Sequence, residues 1–296
     1  MERNNVIKRM TAFMLIAVMA VAFMPIFGLS DAGAATKKGR LVKAVTKQYY
    51  DDTKMKWITE HKVSYAYNKK NDPVKIKTKD YNSDGKLVST DTCKNVYKYK
   101  KSVRRSRKMT VTYSDPDQKL TQTWKYDKYG NPKKSNRYSS YQDEWWVNTE
   151  TNYVYKKRGY LTKESSTSFD NYSDENDPYT SKWKYTVKQK KNLLKSFVAY
   201  SYNKNEKKWE KEKAYSFNSK GLVTKVTDYA ADTTMTFKYS WKKGRVTSVT
   251  RSVTDEDSSY KDRYKFSYTK KKTGKIRYAK MINQITCDAY TFYPWY

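Results

Sequence analysis

The sequence predicts an all-β fold: an antiparallel meander of repeated β-hairpins, closed or curled as a sheet, shell or barrel. Three observations carry that expectation. Isolated glycines recur just ahead of an aliphatic residue, aromatic anchors recur about every 29 residues, and the flanking segments alternate apolar and polar side chains at period two.

The chain opens with Arg3, Lys8 and Arg9, followed by an unbroken apolar run from Ala12 to Met24 and then small residues at Ala32, Gly33, Ala34 and Ala35. A charged head, a greasy core and a small-residue cleavage site are the layout of a secretory signal peptide. As a helix the apolar run rises only about 20 Å, short of a hydrocarbon core of roughly 30 Å. The expected organisation is a signal segment over residues 1–34 and a single repeat domain over 35–296, secreted, with any retention at the cell surface non-covalent; an uncleaved membrane anchor is the other reading of the first segment.

Composition narrows the class. Sixty-two Lys and Arg against 30 Asp and Glu give a net charge of +32, which calls for an acidic partner or environment. Such a charge with low hydropathy ordinarily argues for disorder. The 30 Tyr and 8 Trp argue against it, because disordered segments are poor in aromatics. A tyrosine buries a ring while keeping its hydroxyl wet, so many small aromatic clusters are expected in place of one deep core.

The repeat is read from the glycines. Gly85, Gly130, Gly159, Gly221, Gly244 and Gly274 each stand two residues before Leu87, Pro132, Leu161, Val223, Val246 and Ile276, and Gly39 precedes Leu41 in the same way. An aromatic stands four residues upstream at Tyr81, Tyr126, Tyr155 and Phe217. Glycine at that place supplies the positive φ of a tight turn between strands. Segments from Ser64, Ser181 and Ala199 keep the layout with Asn, Asp or Lys in place of Gly, and Asn and Asp tolerate such turns best. Anchors at Tyr67, Tyr99, Tyr126, Tyr155, Tyr185, Phe217, Tyr239 and Tyr268 leave room for two strands per unit, hence roughly sixteen strands. The polar stretches 170–178 and 254–259 read as longer connections.

The segment KYDKYGNPKKS (125–135) resembles the YD repeat of Rhs-type and teneurin-like shells, in which a Tyr-Asp pair is followed by Gly-Asn and an apolar residue. FNSKGLVTKVTDY (217–229) and DYNSDGKLVSTD (80–91) are weaker copies, and Pro132 departs from the pattern by standing where an apolar strand residue is usual. The aromatic-rich units are also similar to the cell-wall-binding repeats of Gram-positive surface proteins, without the Gly-Trp pair those repeats use. Either resemblance implies an extracellular hairpin array that encapsulates or binds and has no catalytic residues of its own.

Chemistry-bearing residues are sparse. His61 is the one histidine, and Cys93 and Cys287 are the two cysteines. No CxxC pair or His cluster offers metal-ligand spacing, so no metal and no cofactor is expected. Cys93 and Cys287 are a possible disulfide in an oxidising compartment, and two unpaired thiols are the other option. His61 lies in a strand-like stretch without a nucleophile elbow, which fits a plain exposed or cross-strand histidine. Asp51, Asp52, Asp143 and Glu144 supply carboxylates from which a glycosidase pair can be imagined, but their presence singles out no pair. No catalytic residue is assigned.

Binding candidates are clearer. KYKKSVRRSRK carries Lys98, Lys100, Lys101, Arg104, Arg105, Arg107 and Lys108, and with a turn near Ser102 alternate members share one face suited to gripping phosphates. Lysines guarding a strand edge are the competing role. Lys188, Lys190 and Lys191, and Lys270, Lys271 and Lys272, form further basic turns, while Trp145 and Trp146 are candidates to stack on a sugar or base. The function expected is a non-enzymatic module for anionic polymers, namely teichoic acids or acidic glycans. A protein partner and extracellular nucleic acid are the alternatives.

Overall fold

A computed structural model describes residues 38–141, 144–155, 161–170, 178–190, 193–270, 273–275 and 278–287. The expected signal segment, Gly159, Lys191, Lys271, Lys272 and Asp143 lie outside them. Sixteen consecutive antiparallel strands close into a barrel. They are β2 (Val42–Asp51), β3 (Lys56–Tyr67), β4 (Pro73–Tyr81), β5 (Leu87–Lys100), β6 (Val103–Thr112), β7 (Gln118–Tyr126), β8 (Pro132–Tyr141) and β9 (Glu144–Tyr155). The second half comprises β10 (Leu161–Asp170), β11 (Tyr179–Lys190), β12 (Leu193–Asn203), β13 (Lys208–Phe217), β14 (Val223–Asp228), β15 (Thr233–Lys242), β16 (Arg245–Thr254) and β17 (Ser259–Tyr268). Pairing of β17 with β2 closes the ring, with Phe266 opposite Val45. A short pair, β1 (Lys38–Gly39) with β18 (Thr273–Lys275), and a helix, α1 (Tyr278–Thr286), complete the described chain.

The eight aromatic anchors fall one on each odd-numbered strand from β3 to β17, so the 29-residue period is one up-and-down pair of strands. All point inward and are buried or half-buried. Four tyrosines tie the open end of a hairpin shut by donating to a carbonyl at the first or second residue of a neighbouring strand. Tyr67 reaches Val42 at 2.7 Å, Tyr97 reaches Pro73 at 3.0 Å, Tyr239 reaches Val223 at 2.5 Å and Tyr268 reaches Val246 at 2.6 Å. Each ring is buried while its hydroxyl satisfies a carbonyl at the strand terminus.

The turns repeat one construction. In Asn68–Asp72, Asn82–Lys86, Asp127–Asn131 and Asn218–Leu222 the first side-chain oxygen accepts from the backbone N–H groups two and four residues on. The fourth position has φ of 66° at Asn71, 78° at Gly85, 87° at Gly130 and 75° at Gly221. That is the left-handed region, which explains why Gly recurs there and why Asn is the tolerated substitute. One residue beyond the turn a bulge follows, as where Tyr126 pairs Pro132 but Lys125 pairs Lys134. Pro132 and Pro73 occupy equivalent first positions of their strands, a place proline accepts.

Strict alternation separates the faces, as in His61–Tyr67, where His61, Val63 and Tyr65 are buried and Lys62, Ser64 and Ala66 exposed. The expected scatter of small aromatic clusters is corrected. Closure makes every inward face line the same interior, and Val45, Val63, Met109, Val111, Leu120, Trp124, Phe197, Tyr215, Val226 and Val249 belong to one continuous hydrophobic cluster. The helix α1, which no sequence signal announced, adds Met281, Ile282 and Ile285 to it. Its Asn283 amide accepts from Val223 N at 3.0 Å and donates to Gly221 O at 2.8 Å, fixing the helix against the Asn218–Leu222 turn.

Candidate anion-binding wall

The barrel separates its charges. Buried acids point inward: Asp72, Asp91, Asp228 and Asp262 are buried, and Glu164 lies inside with its carboxyl raised to about 7 by burial, against a hydrogen bond from Tyr185 at 3.0 Å. Most other acids sit in turns, such as Asp127 and Asp255, where they cap backbone N–H groups. The outward strand faces carry many Lys, Ser and Thr, with exposed Val96, Tyr138, Val154 and Trp209 among them. One row runs across the sheet as Lys188, Ser196, Ser216, Lys225, Thr236, Ser252 and Lys261, and another as Lys98, Ser106, Lys125 and Lys134.

Like charges stand directly opposite one another on this wall, with Lys62 opposite Lys79, Lys75 opposite Lys94, and Lys125 opposite Lys134. Cross-strand like-charge pairs destabilise a sheet. Among the described residues Lys134 is paired with Glu150, whereas Lys62, Lys75, Lys79, Lys94, Lys98 and Lys108 have no carboxylate within ion-pair reach. A lipid-spanning barrel carries an apolar band on this face, and Lys at such a midplane costs about 2–4 kcal/mol each. Here apolar residues line the inside, and the outer face interleaves lysines with scattered exposed Val96, Tyr138 and Val154 in place of a continuous apolar band.

The basic segment of β5 and β6 divides between the two faces. The turn at Lys101 and Ser102 has positive φ at both residues, 48° and 66°, as a tight hairpin requires. Lys98, Lys100, Lys101 and Lys108 are exposed. Arg104 and Arg107 are not on that face, and their assignment to a surface patch is corrected. Tyr99 pairs Arg104 while Lys98 pairs Ser106, so Arg105 is an extra, bulged residue that turns Arg104 and Arg107 to the same inner side. Arg104 pairs with Asp72 and also receives the faces of Tyr97 and Tyr126 at 5.0 and 5.3 Å. Arg107 donates to Asn95 Oδ1 at 2.8 Å and lies 4.4 Å from the Trp124 ring centre. Arg105, half-buried, donates to the Asp127 carbonyl at 2.8 Å.

Of the remaining candidates, Lys188 and Lys270 are exposed. Lys190 ends β11 and Gly274 lies in β18, while Trp145 and Trp146 stand in β9, with Trp145 opposite Ser140. The side chains of Lys190, Trp145 and Trp146 lie outside the described residues. Gly244 holds the turn between β15 and β16 with φ 73°. Of the two options for the cysteines, the structure takes the unbridged one: Cys93 and Cys287 are both buried and not joined in a disulfide. Cys93 faces inward on β5 between Ile76 and Val111, whereas Cys287 follows α1, so different structural layers hold the two thiols.

His61 is cross-strand, as expected, but buried. Its Nδ1 lies 2.6 Å from Asp80 Oδ1 and its Nε2 3.1 Å from Glu60 Oε1, with Lys47 Nζ 3.0 Å from the other Glu60 oxygen. Burial alone would lower the imidazole, but the two carboxylates outweigh it and raise it to about 9. Ser89 hydrogen-bonds the second oxygen of Asp80, so serine and histidine meet on one carboxylate and not on each other. A nucleophile–base pair needs that direct bond. Asp51 accepts from Lys54 N at 2.9 Å and caps the turn after β2. No group of three metal-ligating side chains occurs among the described residues.

A surface the sequence did not single out lies on β11–β13. Outward Tyr202 packs on Trp209 at 5.2 Å between ring centres, and Lys184 stands over both Tyr200 and Trp209 at 5.0 and 4.8 Å. The residues are dispersed in the chain and share a face only through the strand register, Lys184 opposite Tyr200 and Tyr200 opposite Lys211.

No protein-family model matches the chain, and no curated protein does. Among solved structures, a porin-like protein from Bacteroides vulgatus ATCC 8482 is 12% identical, with a TM-score of 0.34 over 78% of this chain and 99% of that one. A porin-like protein from Bacteroides uniformis ATCC 8492 is 11% identical and superimposes with a TM-score of 0.52, covering 81% of this chain and 100% of that chain. The chain is therefore similar to that porin-like protein in its closed antiparallel barrel, and the likeness is one of fold alone.

Proposed function

We propose that this protein is an exported, non-enzymatic module whose lysine-rich outer wall faces water and adheres to anionic surface polymers, teichoic acids or acidic glycans. The observation supporting this reading is the set of facing lysines at Lys62, Lys79, Lys75 and Lys94 without a carboxylate partner among the described residues, while most acids are turned inward or kept in turns. A closed barrel has no free edge to protect, so edge guarding does not account for lysines in mid-wall positions. Serine and threonine between the lysines supply hydroxyl donors for phosphate, sulfate or carboxylate oxygens.

The test is co-sedimentation of residues 36–296 with Gram-positive walls before and after teichoic acid extraction, at low and high salt. Binding that needs the polymer and falls steeply with salt supports the reading, because exposed charges are screened within a Debye length of about 8 Å at physiological ionic strength. Salt-insensitive binding to extracted walls would favour a protein partner. Preference for competing DNA over wall polymer would favour nucleic acid.

A further inference from the structure

We infer that the outer face of β11–β13 is a saccharide-binding site, taking a pyranose ring that bears a carboxylate or sulfate within an acidic polysaccharide. The inference rests on the proposed adhesion to anionic polymers and assigns it a place and a ligand chemistry. Tyr200, Tyr202 and Trp209 form an aromatic platform on one outward face, with Trp209 37% exposed. Trp209 is exposed and Tyr200 and Tyr202 are half-buried, and such partly wet rings offer the apolar faces of a pyranose a surface to stack on. Three ammonium groups border the platform: Lys184 over Tyr200 and Trp209, Lys182 at 5.8 Å from the Tyr202 ring, and Lys211 at 4.1 Å from the Tyr229 ring.

Acids of the same hairpin are engaged elsewhere. Glu210 accepts from Asn203 at 3.0 Å and contacts Lys208, Glu206 pairs with Lys208, and Glu212 bonds Ser201 on the other side of the sheet. The three platform lysines have no ion pair to a carboxylate among the described residues. Lys211 donates to the Tyr229 hydroxyl at 2.5 Å, a neutral partner, so rings and cations without a carboxylate partner together match a charged sugar. A linear phosphate polymer would use the lysines and ignore the rings.

The experiment compares heparin, a sulfated polysaccharide, with inorganic polyphosphate, which has charge and no sugar ring. Binding of residues 36–296 is measured for wild type, for Tyr200→Ala with Trp209→Ala, and for Tyr200→Phe with Trp209→Phe. The Ala pair is expected to weaken heparin binding about tenfold, to leave polyphosphate within about twofold, and to be rescued by the Phe pair, because stacking needs rings. Equal heparin binding by wild type and the Ala pair overturns the inference, as does a parallel loss of both ligands. If the Ala pair does not fold, Lys184→Gln with Lys211→Gln is set against Lys98→Gln with Lys108→Gln. Heparin binding must then fall more for the platform pair, and equal loss overturns the inference. Wild type binding polyphosphate but not heparin defeats this site while leaving the adhesion reading intact, and wild type binding neither defeats both.

Discussion

Arg104 and Asp72, 32 positions apart in the chain, form an ion pair inside the barrel with 4% and 1% of their side-chain surfaces exposed. Tyr99 donates to the same carboxylate, so the turn ending at Asp72 is tied to the hairpin of β5 and β6. Removing one member of a buried pair strands the other. Arg104→Ala is expected to cost about 3–5 kcal/mol in chemical denaturation, whereas Arg104→Ala with Asp72→Ala together should cost less than the sum of the two single changes. A loss under about 1 kcal/mol for the single change would place Arg104 on the surface after all.

On the outer wall, stability and binding should move in opposite directions. Lys75 faces Lys94 across the β4–β5 pair. Lys75→Glu replaces a repulsion with an attraction and should stabilise the fold by about 0.2–1 kcal/mol while weakening association with anionic polymer. Thermal melting and co-sedimentation of the same variant check both halves.

His61 makes the barrel sensitive to alkali. Its imidazole, pushed up from an ordinary 6.5 to about 9 by Asp80 and Glu60 despite burial, is held protonated by the fold. A raised value stabilises fully below the unfolded-state titration and is lost as pH climbs through the folded one. Wild type should therefore lose up to about 3 kcal/mol more than His61→Asn between about pH 6 and pH 9.5. Parallel pH profiles for the two proteins in urea unfolding would contradict this.

The turn at Asn82–Lys86 isolates a backbone effect, because a Cβ added at Gly85 meets nothing within 4 Å while φ is +78°. Gly85→Ala should cost about 1 kcal/mol through φ alone. Gly85→Asn should cost less, since Asn71 holds the equivalent place in its own turn at φ 66°. Melting temperatures of the two variants give the comparison.

Both thiols should resist reagents in the folded state. Burial pushes the Cys93 thiol up to about 11, and Cys287 is buried beside Tyr215 and Tyr239. Thiol titration is expected to be slow in buffer and to reach two per chain in denaturant without reductant, consistent with two cysteines outside any disulfide. A zero titre in denaturant would reveal a disulfide.

Turn chemistry and period were legible because they are local. The left-handed position in an Asx-led turn restricts residue choice to Gly or Asn, and an inward aromatic on alternate strands leaves a trace every 29 residues or so. The faces of Arg104 and Arg107 were not legible, because a bulge at Arg105 shifts the alternation by one and leaves no compositional mark. The platform of Tyr200, Tyr202 and Trp209 was equally hidden, since its members meet across a hairpin whose register depends on another bulge, at Glu212.

The sequence by itself determined an all-β repeat of hairpins, its turns, its count of strands and its excess of positive charge, all properties of neighbours along the chain. Tertiary structure alone decided closure, which depends on β17 finding β2 more than two hundred residues away. It also decided which charges face in and which face out. Closure removes the edges and encloses one face, so acids paired inside are screened from the lysines outside, and only then does a basic composition become a basic wall.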